Sequence, residues 1–387
     1  MELRKSVAHH AFDRTTFEDL RRRVVTGELE PSANRLAHAP TPLATPPIDV
    51  GSAADRARRT ELGLAALRAS KVAVLVLNGG MATRFGGGAK GVVPVVDGHP
   101  RTSFLAVKLA EVEQRATALQ AAIPVVLMHS FATEAASRAH VDAIDWAGLN
   151  PEDRYWFSQS IMPRVLPDGT PLFELPGADA LDDATLFAAP GHGDTLKRLR
   201  ESGTLATLRE RGVRHILLSN VDNVGATLDP FILGAHLEAH DGGAGVSVEV
   251  VRREAGDTGG CVADLPPGSD AAAGRPAIIE AFRLPQGTDI ADFPHFNTNT
   301  LWLAAEAVDR SFDLTWFAVR KTIAWPGQAQ PREVVQFEQL VGQVTELVPS
   351  AFLEVDRETR FLPIKTREDL ARAAPTLVEF AKDVGLA

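Results

Sequence analysis

The chain has 387 residues, and its 40 Lys and Arg against 50 Asp and Glu give a formal net charge of −10. An acidic chain of this kind is a poor nonspecific binder of nucleic acid, so any polyanionic ligand needs a local cationic site. The single cysteine, Cys261, excludes an internal disulfide framework and a zinc site built from cysteines. There is no apolar signal region and no stretch near the ~18 apolar residues of a membrane span. We therefore expect a cytoplasmic protein without nucleic-acid or membrane partners.

Residues 1–70 are predicted to form an N-terminal helical extension. Apolar residues at helical spacing predict a helix over 16–29, with Thr15 or Thr16 as its N-cap. The following segment, 30–50, is rich in Pro, Ala and Thr, which is typical of an extended connection. A second helix is predicted after it, over about 53–70.

Residues 71–310 alternate predicted strands and helices. The apolar run at 72–77 predicts a buried parallel strand. The further predicted elements are strands at 124–128, 215–219 and 245–251 and helices at 103–119 and 194–211. This alternation indicates an α/β fold with a mixed, mostly parallel sheet and flanking helices. Ligands bind such sheets at the carboxyl ends of the strands, so the loop after each strand is a candidate site.

The loop after the first strand, NGGMATRFGGGAKG at 78–91, combines several glycines with the cations Arg84 and Lys90. Glycines let the backbone approach a ligand closely, and a phosphate suits the two cations. The spacing GxGxxG occurs at 86–91, but eight residues separate it from the strand, and a dinucleotide fingerprint follows its strand directly. No Ser or Thr follows the lysine, so a Walker A loop is not present either. The loop is a phosphate site of another kind or a glycine-rich surface turn.

Three later segments carry polar residues near strand or helix ends. In APGHGD, His192 stands between two glycines before a helix, where a surface histidine is the alternative. In NVDN, Asp222 follows a strand and can hold a hard cation such as magnesium or cap the next element. In FNTNTLW, Asn297 and Asn299 are expected on one side of a strand at period two, which suits hydroxyl recognition unless the pair shapes a turn.

Together these segments resemble the UTP:glucose-1-phosphate uridylyltransferase family, also called UDP-glucose pyrophosphorylase. The family pattern LNGGxGT, followed by a lysine-bearing loop, stands here as LNGGMATRFGGGAKG. The resemblance continues in the same order through VLMHSFATE, FSQSIMPRV, PGHGD, NVDNVGATLD, TGG, FNTNTLW and RFLPIKT. It covers about residues 70–370 and implies a Rossmann-like, glycosyltransferase-A-like nucleotidyltransferase fold.

The sequence departs from the family pattern in the glycine loop and after the last motif. Ala82 replaces the family's usual glycine, and the loop lysine is displaced by about one residue, so Lys90 is taken as its counterpart. An earlier loop lysine is missing, and Arg84 is expected to supply that charge. Eukaryotic members continue into a left-handed β-helix after RFLP, whereas this chain ends at Ala387. We expect residues 311–387 to close the site and to end in an amphipathic helix that packs on its own domain. We also expect the protein to be a monomer.

The resemblance implies that the protein transfers uridylyl from UTP to a hexose 1-phosphate, forming a UDP-sugar and pyrophosphate. The attacking phosphate oxygen is already an anion, so no general base is required, and an in-line displacement depends on positioning and charge neutralisation. Lys90, Lys321 and Arg84 are the expected catalytic cations. Because Arg320 lies beside Lys321, it stays open which of these two positions matches the family lysine. Asp222 is the expected ligand of Mg²⁺.

The family positions also imply which residues hold each substrate. The nucleotide is expected to contact Leu77, Asn78 and Gly79 through their backbone, together with Gly80, Gln159, Gly191 and Asp222. The sugar phosphate is expected to contact His192, Asn220, Gly260, Glu280, Asn297, Asn299 and Lys365. For Lys365 a surface role is the alternative.

Other functions are compatible with parts of this pattern. A non-catalytic UDP-sugar sensor would keep the base and sugar pockets but lose the phosphate-neutralising cations, which are present here. An NAD-dependent oxidoreductase shares the fold class but needs the missing glycine fingerprint. A UDP-N-acetylhexosamine or broad-specificity pyrophosphorylase is the alternative within the family. His192 and Asp194 stand where the N-acetylhexosamine branch usually has Asn and Gly, which favours glucose 1-phosphate and leaves galactose 1-phosphate open.

Overall fold

The computed structural model of the chain describes residues 3–50, 53–81, 87–96, 99, 101–266, 274–325 and 330–386. Its strands are β1 (Ile48–Asp49), β2 (Val72–Leu77), β3 (Val125–His129), β4 (Arg154–Ser158), β5 (Met162–Pro163), β6 (Phe187–Ala188), β7 (His215–Asn220), β8 (Val246–Arg252), β9 (Cys261–Asp264), β10 (Pro276–Ile279), β11 (His295–Ala304), β12 (Phe317–Ile323), β13 (Arg332–Glu338) and β14 (Ser350–Glu354). Its helices are α1 (Arg14–Val25), α2 (Ala53–Arg68), α3 (Phe104–Leu119), α4 (Glu134–Ala143), α5 (Asp183–Leu186), α6 (Asp194–Glu201), α7 (Thr204–Glu210), α8 (Pro230–Ala239), α9 (Ala305–Val308), α10 (Arg357–Arg360) and α11 (Arg367–Asp383). None of the helices in these ranges is long and apolar enough to cross a bilayer.

A ten-stranded mixed sheet forms the centre of the molecule. Its strand order is β1-β14-β8-β11-β7-β2-β3-β4, and β9 joins β11 and carries β10. The pairs β1–β14, β14–β8, β7–β2, β2–β3 and β3–β4 are parallel, whereas β11 runs antiparallel to β7 and β8. The predicted α/β class with a mixed, mostly parallel sheet and flanking helices is confirmed.

Helices cover both faces of the sheet, and the apolar runs of its strands are buried for that reason. Successive residues of β2 point to opposite faces. Val74 and Val76 join a core with residues of α2, α3, α8 and α11, whereas Leu75 and Leu77 join a second core with residues of α6 and α7. This two-sided packing fixes the ends of β2, β3 and β7 at one edge of the sheet, where the candidate loops begin.

The sheet draws strands from all three predicted segments of the chain. β1 comes from residues 1–70, β14 from residues 311–387, and the other strands of this sheet from 71–310. The three segments therefore share one sheet. The terminal helix is present as predicted, and α11 buries Leu377 and Ala381 against the rest of the chain.

Two predicted helices differ from those in the structure. The N-terminal helix begins at Arg14, because the Asp13 side chain accepts a hydrogen bond from the Thr16 N–H and is the N-cap in place of Thr15 or Thr16. It ends at Val25, and Gly27 just beyond it has a φ of 77°. The single helix predicted over 194–211 is two helices, since Gly203 between them has a φ of 80° that a right-handed helix cannot continue through.

A buried ion pair ties the C-terminal segment to the sheet. Arg360 donates to Glu249 from Nε at 3.0 Å and from Nη2 at 2.7 Å, and both residues are buried. The Nη1 atom of Arg360 donates to the carbonyl and hydroxyl oxygens of Thr227 at 3.1 and 2.7 Å, and Trp302 Nε1 donates to Glu249 at 3.0 Å. The network holds the segment that begins at Arg360 against the loop after β7.

We predict that Arg360→Met lowers the free energy of unfolding by about 3 to 5 kcal/mol, because Glu249 would keep a buried charge without its partner. Urea denaturation followed by circular dichroism measures the change. Arg252→Met is the control, since the Arg252 side chain is 65% exposed in its ion pair with Glu354. An exposed pair contributes about 0 to 1 kcal/mol. Equal losses in the two variants would contradict this account of the network.

Candidate active site

A cavity of about 350 Å³ opens at the carboxyl ends of β2, β3, β4 and β7. This is the edge at which parallel strands present their loops to a ligand. Nine of the sequence-predicted residues line it: Leu77, Gly79, Gly80, Lys90, Gln159, Gly191, His192, Asn220 and Asp222. Met81, Met128, Ala189 and Val221 complete the wall. The structure therefore brings most of the predicted nucleotide site together.

Lys90 and Asp222 form an ion pair in the wall of this cavity, between Nζ and Oδ2. The backbone N–H of Lys90 donates to the Gly80 carbonyl at 3.2 Å, which closes the glycine loop back onto its start. Asp222 lies two residues beyond β7. Their side chains are only 14% and 15% exposed, so the two charges are largely withdrawn from water and compensate each other. The cation expected at phosphate and the carboxylate expected at magnesium are thus in contact.

The side-chain amide of Gln159 spans the cavity between two glycines. Its Nε2 donates to the Gly191 carbonyl at 2.7 Å. A Cβ atom at position 79 would lie 2.3 Å from Gln159 Oε1, so a side chain there would displace this amide. Gly191 has a φ of 73°, and a Cβ there would lie 2.5 Å from the Gln339 carbonyl oxygen. An amide offers both a donor and an acceptor, which suits the edge of a planar base.

Asn78 supports the glycine loop from behind rather than lining the cavity. Its fully buried side chain donates from Nδ2 to Ser137 Oγ at 2.8 Å and lies 3.1 Å from His129 Nδ1. Its carbonyl accepts a hydrogen bond from Thr133 Oγ1 at 2.9 Å. These contacts anchor the loop to β3 and to the start of α4. The Asn78 N–H donates to the Met128 carbonyl at 2.9 Å, whereas Asn78 Oδ1 has no hydrogen-bond partner among the described residues.

His192 is held as a neutral hydrogen-bond donor. Its Nδ1 accepts a hydrogen bond from the Val341 N–H at 3.0 Å, so the proton of the neutral ring lies on Nε2. Burial lowers the pKa of His192 to about 4. The ring is therefore uncharged near neutral pH, and its Nε2–H can donate to a ligand hydroxyl or phosphate oxygen.

Five of the seven expected sugar-binding residues form a continuous cluster beside the cavity. Asn299 Nδ2 donates to Asn220 Oδ1 at 3.0 Å, and the Asn299 N–H donates to Asn297 Oδ1 at 2.9 Å. The Asn297 N–H donates to the Gly260 carbonyl at 3.0 Å. A Cβ on Gly260 would lie 3.1 Å from Glu280 Oε1, so glycine leaves room for this carboxylate. Burial raises the pKa of Glu280 above its usual range.

Asn297 and Asn299 join the same cluster, as expected, but the regular strand alternation is interrupted between them. Asn299 has a left-handed φ of 58°, and the register between β11 and β8 shifts between Asn297 and Thr300. Such a bulge redirects a side chain, and here it brings Asn299 to Asn220. The Oδ1 atom of Asn299 is buried and has no hydrogen-bond partner among the described residues. A buried acceptor of this kind is a place for a ligand donor such as a hydroxyl.

Lys321 does not belong to the cavity wall, and it is exposed on β12. The structure separates it from its neighbour Arg320, because adjacent strand residues point to opposite faces. Arg320 pairs with Glu30 at 2.7 Å and with Glu333 at 2.5 Å. Lys321 forms no ion pair within the described part of the chain, so it is the cation of the two that can meet an anionic ligand.

At its first residue, Phe317, the face of β12 that carries Lys321 contacts the segment that follows Glu280. Phe317 lies on that face, four residues before Lys321 on the same strand. Its ring packs edge-on against Phe282, with 5.0 Å between the centroids, and the Arg283 guanidinium carbon lies 5.8 Å from its centre. Phe282 and Arg283 are the second and third residues after Glu280 in the chain.

Lys365 lies in a neighbouring cavity of about 580 Å³, together with Thr258 and Gly259 of the TGG motif. The N–H of the preceding residue, Ile364, donates to the Asp222 carbonyl at 3.1 Å. The RFLPIKT segment therefore runs beside Asp222, with Lys365 adjacent to the nucleotide cavity and not in it.

Arg84, the third expected cation, lies outside the described residues, and so does Ala82.

The acidic groups of the cavity fit one particular kind of metal site. Nowhere in the described ranges are three or more His, Cys, Asp or Glu side chains grouped to hold an ion. Asp222 lines the cavity as a single carboxylate. One carboxylate suits Mg²⁺ that takes most of its ligands from nucleotide phosphates and water, and it does not suit an ion held by protein alone.

Two buried side chains that sequence reasoning did not identify as supports hold the loops of the site. Lys108 on α3 is 7% exposed and donates to Ser219 Oγ at 3.1 Å and to the Ala226 carbonyl at 3.0 Å. Burial lowers the pKa of Lys108 to about 8. Asp194 accepts hydrogen bonds from the Ser160 N–H at 2.7 Å and from its hydroxyl at 3.0 Å. The only signal for Lys108 in the sequence is a lysine within the apolar run FLAVKLA.

We predict that His192→Asn makes the stability of the protein less dependent on pH between about pH 5 and pH 6.5. Unfolded His192 takes up a proton near its usual pKa of 6.5, whereas the folded residue, with a pKa of about 4, does not. The unfolded state then binds more protons, so the free energy of unfolding falls as the pH falls. One such histidine contributes up to about 1.4 kcal/mol per pH unit. Urea denaturation across this range measures the slope, and equal slopes for wild type and variant would contradict the assignment.

The family model and the relatives that match this chain all point to one family. The family model described as UTP--glucose-1-phosphate uridylyltransferase matches residues 49–384. UTP--glucose-1-phosphate uridylyltransferase 2 of Dictyostelium discoideum is 29% identical over 323 residues, which are 82% of this chain and 61% of that protein. A probable UTP--glucose-1-phosphate uridylyltransferase of Schizosaccharomyces pombe is 31% identical over 314 residues, 78% of this chain and 58% of its own length. The chain thus spans about three fifths of the length of these relatives.

A solved structure agrees with this result. A mutant UDP-glucose pyrophosphorylase from Leishmania major, in complex with UDP-glucose, superposes with a TM-score of 0.72 at 27% identity. The match covers 92% of this chain and 74% of that one, and it confirms the expected nucleotidyltransferase-like fold. The match over residues 49–384 includes every element that builds the cavity. The chain belongs to the UTP--glucose-1-phosphate uridylyltransferase family.

Proposed function

We propose that this chain transfers uridylyl from UTP to a hexose 1-phosphate, with glucose 1-phosphate as the preferred acceptor and pyrophosphate as the second product. The observation that carries the proposal is the Lys90–Asp222 pair, which lines one cavity together with an amide suited to a base and borders a cluster suited to a sugar. Membership of the family supports the reaction, and the Leishmania relative binds UDP-glucose.

In this proposal the uracil lies along the backbone of Leu77 and Gly79, and Gln159 reads its amide edge. The triphosphate then reaches Lys90 at the far side of the glycine loop. About six negative charges meet when UTP and a sugar phosphate bind together, and unscreened repulsion between them would be large. Lys90 and Lys321 offset that charge from two different parts of the chain.

Asp222 would hold Mg²⁺ together with phosphate oxygens, and the bound ion would supply further charge neutralisation. The protein has to position the sugar phosphate for attack on the α-phosphorus. It does not have to remove a proton, because the attacking oxygen is already ionised. The rate enhancement therefore comes from orientation and preorganised charge. Both suit an in-line displacement at the α-phosphorus.

The sugar cluster favours a neutral hexose. His192 offers an uncharged donor, and Asn299 Oδ1 is an acceptor that lacks a partner among the described residues. Glu280 can accept hydroxyl hydrogen bonds from the edge of the cluster. The monomeric state and the cytoplasmic location stay predictions.

The substrate assignment is tested by a pyrophosphate-release assay that crosses four nucleoside triphosphates with glucose, galactose and N-acetylglucosamine 1-phosphates. We expect UTP with glucose 1-phosphate to give the highest kcat/KM. Preference for N-acetylglucosamine 1-phosphate would establish the other branch of the family. Tight UDP-glucose binding measured by calorimetry, without pyrophosphate release from any substrate pair, would show that the protein is a UDP-sugar sensor and not an enzyme.

We predict that Lys321→Ala lowers kcat by about 10² to 10³-fold, because it removes a charge that acts on the transition state. The KM for UTP should change little, since the cavity wall stays intact. Thr322→Ala is the matched control, because Thr322 is the next exposed residue of β12 and lies on its other face. Steady-state kinetics measure both, and a Lys321→Ala variant with more than about half of the wild-type kcat would remove Lys321 from the mechanism.

We predict that Asp222→Asn raises the magnesium concentration for half-maximal rate by at least about tenfold. Removing a hydrogen-bond partner of a metal ligand already lowers metal affinity by about that factor. The cause is the loss of an anionic oxygen that faces a hard cation. A magnesium titration at saturating UTP measures the shift. Activity alone is not diagnostic, because the substitution also breaks the pair with Lys90. Reduced activity with unchanged magnesium dependence would mean that Asp222 orients the ribose or a neighbouring side chain.

A further inference from the structure

The N-terminal segment before residue 49 lies outside the part of the chain that the family model matches. It nevertheless contacts several of the segments that build the site. Backbone hydrogen bonds join Ala11 to Ile161 at 2.8 Å, Leu36 to Arg283 at 2.8 Å and Thr41 to Asp264 at 2.9 and 3.2 Å. These partners belong to the FSQSIMPRV motif, to the turn after Glu280 and to the strand that follows TGG. The N-terminal segment is therefore hydrogen-bonded to three of the segments that build the site.

The strand that carries Lys321 needs support from such a segment. β12 pairs only with β13 in the described part of the chain, as a two-stranded sheet separate from the central one. An isolated two-stranded hairpin is marginally stable in water. β13 is bonded on its other edge to Val165, so β12 is the outer strand. Its geometry therefore depends on what packs against the faces of the hairpin.

Helix α1 covers the face of the hairpin opposite Lys321. Phe17 and Leu20 are fully buried and share one apolar cluster with Val335 and Phe337 of β13. The rings of Phe17 and Phe337 meet edge to face, with 6.4 Å between their centroids. Val335 is the cross-strand partner of Arg320, whose side chain shares this face.

An ion pair adds to this packing at the residue next to Lys321. Arg320 Nη2 lies 2.7 Å from Glu30 Oε1, just beyond α1. The two side chains are 35% and 46% exposed, and exposed pairs contribute little to stability. On this face the buried apolar contact is therefore the main support, and the ion pair lies beside it. The opposite face packs Val334 into a separate apolar cluster.

We propose that α1 is a positioning element for Lys321. By fixing the hairpin from behind, it sets the distance of the lysine ammonium from the substrate phosphates, without touching a substrate itself. The proposal rests on the proposed function, since that function gives Lys321 its role. Loosening α1 should then lower turnover, because a misplacement of about 1 Å by a distant substitution can cost about 10²-fold in rate.

The first experiment compares Leu20→Ala with a matched control, Leu208→Ala. Leu208 is an equally buried leucine on α7, in the second core, and it has no contact with this cluster. We expect Leu20→Ala to lower kcat by about tenfold while the KM for UTP stays within about twofold. We expect Leu208→Ala, at a temperature where circular dichroism shows both variants folded, to keep kcat within about twofold. Equal kcat losses in the two variants would overturn the proposal.

The second experiment places Leu20→Ala in a Lys321→Ala background. A positioning element for Lys321 has nothing left to position there, so Leu20→Ala should lower the residual kcat by less than about twofold. The same tenfold loss in both backgrounds would overturn the proposal, because α1 would then act independently of Lys321.

A third measurement does not depend on catalysis. Amide hydrogen exchange in β12 and β13 should be at least about tenfold faster in Leu20→Ala than in wild type, with β2 and β7 unchanged. If the wild type released no pyrophosphate, the proposed function would fail, and this exchange pattern would still support α1 as the support of the hairpin. Unchanged exchange in the hairpin of an active enzyme would overturn the positioning role and leave the uridylyl transfer intact.

Discussion

The ion pair between Lys90 and Asp222 joins the glycine loop to the end of β7, in a chain with a formal net charge of −10. A cation kept ready for phosphate in a partly dry cavity would be costly without a partner, and the carboxylate compensates it. In the proposed reaction, phosphate oxygens would replace Asp222 as the partner of Lys90 when a nucleotide binds, and the carboxylate would become available to magnesium. One contact therefore compensates both charges, and under the proposed function it would separate into the two groups that the transfer needs.

Buried polar side chains hold the walls of the cavity from behind. Asn78 fixes the glycine loop, Asp194 ties PGHGD to FSQS, and Lys108 fastens the loop that carries Asp222. The Arg360–Glu249 pair does the same for the RFLPIKT segment. Groups that touch a ligand keep their geometry only when such supports restrict them. The geometry of the cavity thus depends on side chains that do not line it. The proposed role of α1 behind Lys321 follows the same principle.

The sheet and most of the nucleotide cavity could be predicted from the sequence, because apolar runs mark buried strands and parallel strands present their loops at one edge. The side chain of Asn299 could not be placed, since its left-handed backbone arises from a register shift against β8 that strand alternation does not show. The choice between Arg320 and Lys321 required Glu30, almost 300 residues away in the chain. Lys108 matches no motif, because its partners are a hydroxyl of β7 and a carbonyl of the loop after it, both distant in the chain.

A crystal structure of the chain with UTP and Mg²⁺ would test the central claim most directly, since it shows the partners of Lys90 and Asp222 at the same time. The account predicts that Lys90 Nζ leaves Asp222 for a phosphate oxygen, that the Asp222 carboxylate binds the metal ion, and that the uracil meets Gln159. A bound nucleotide beside an intact Lys90–Asp222 pair, or phosphates held at Lys365 in the neighbouring cavity, would contradict it.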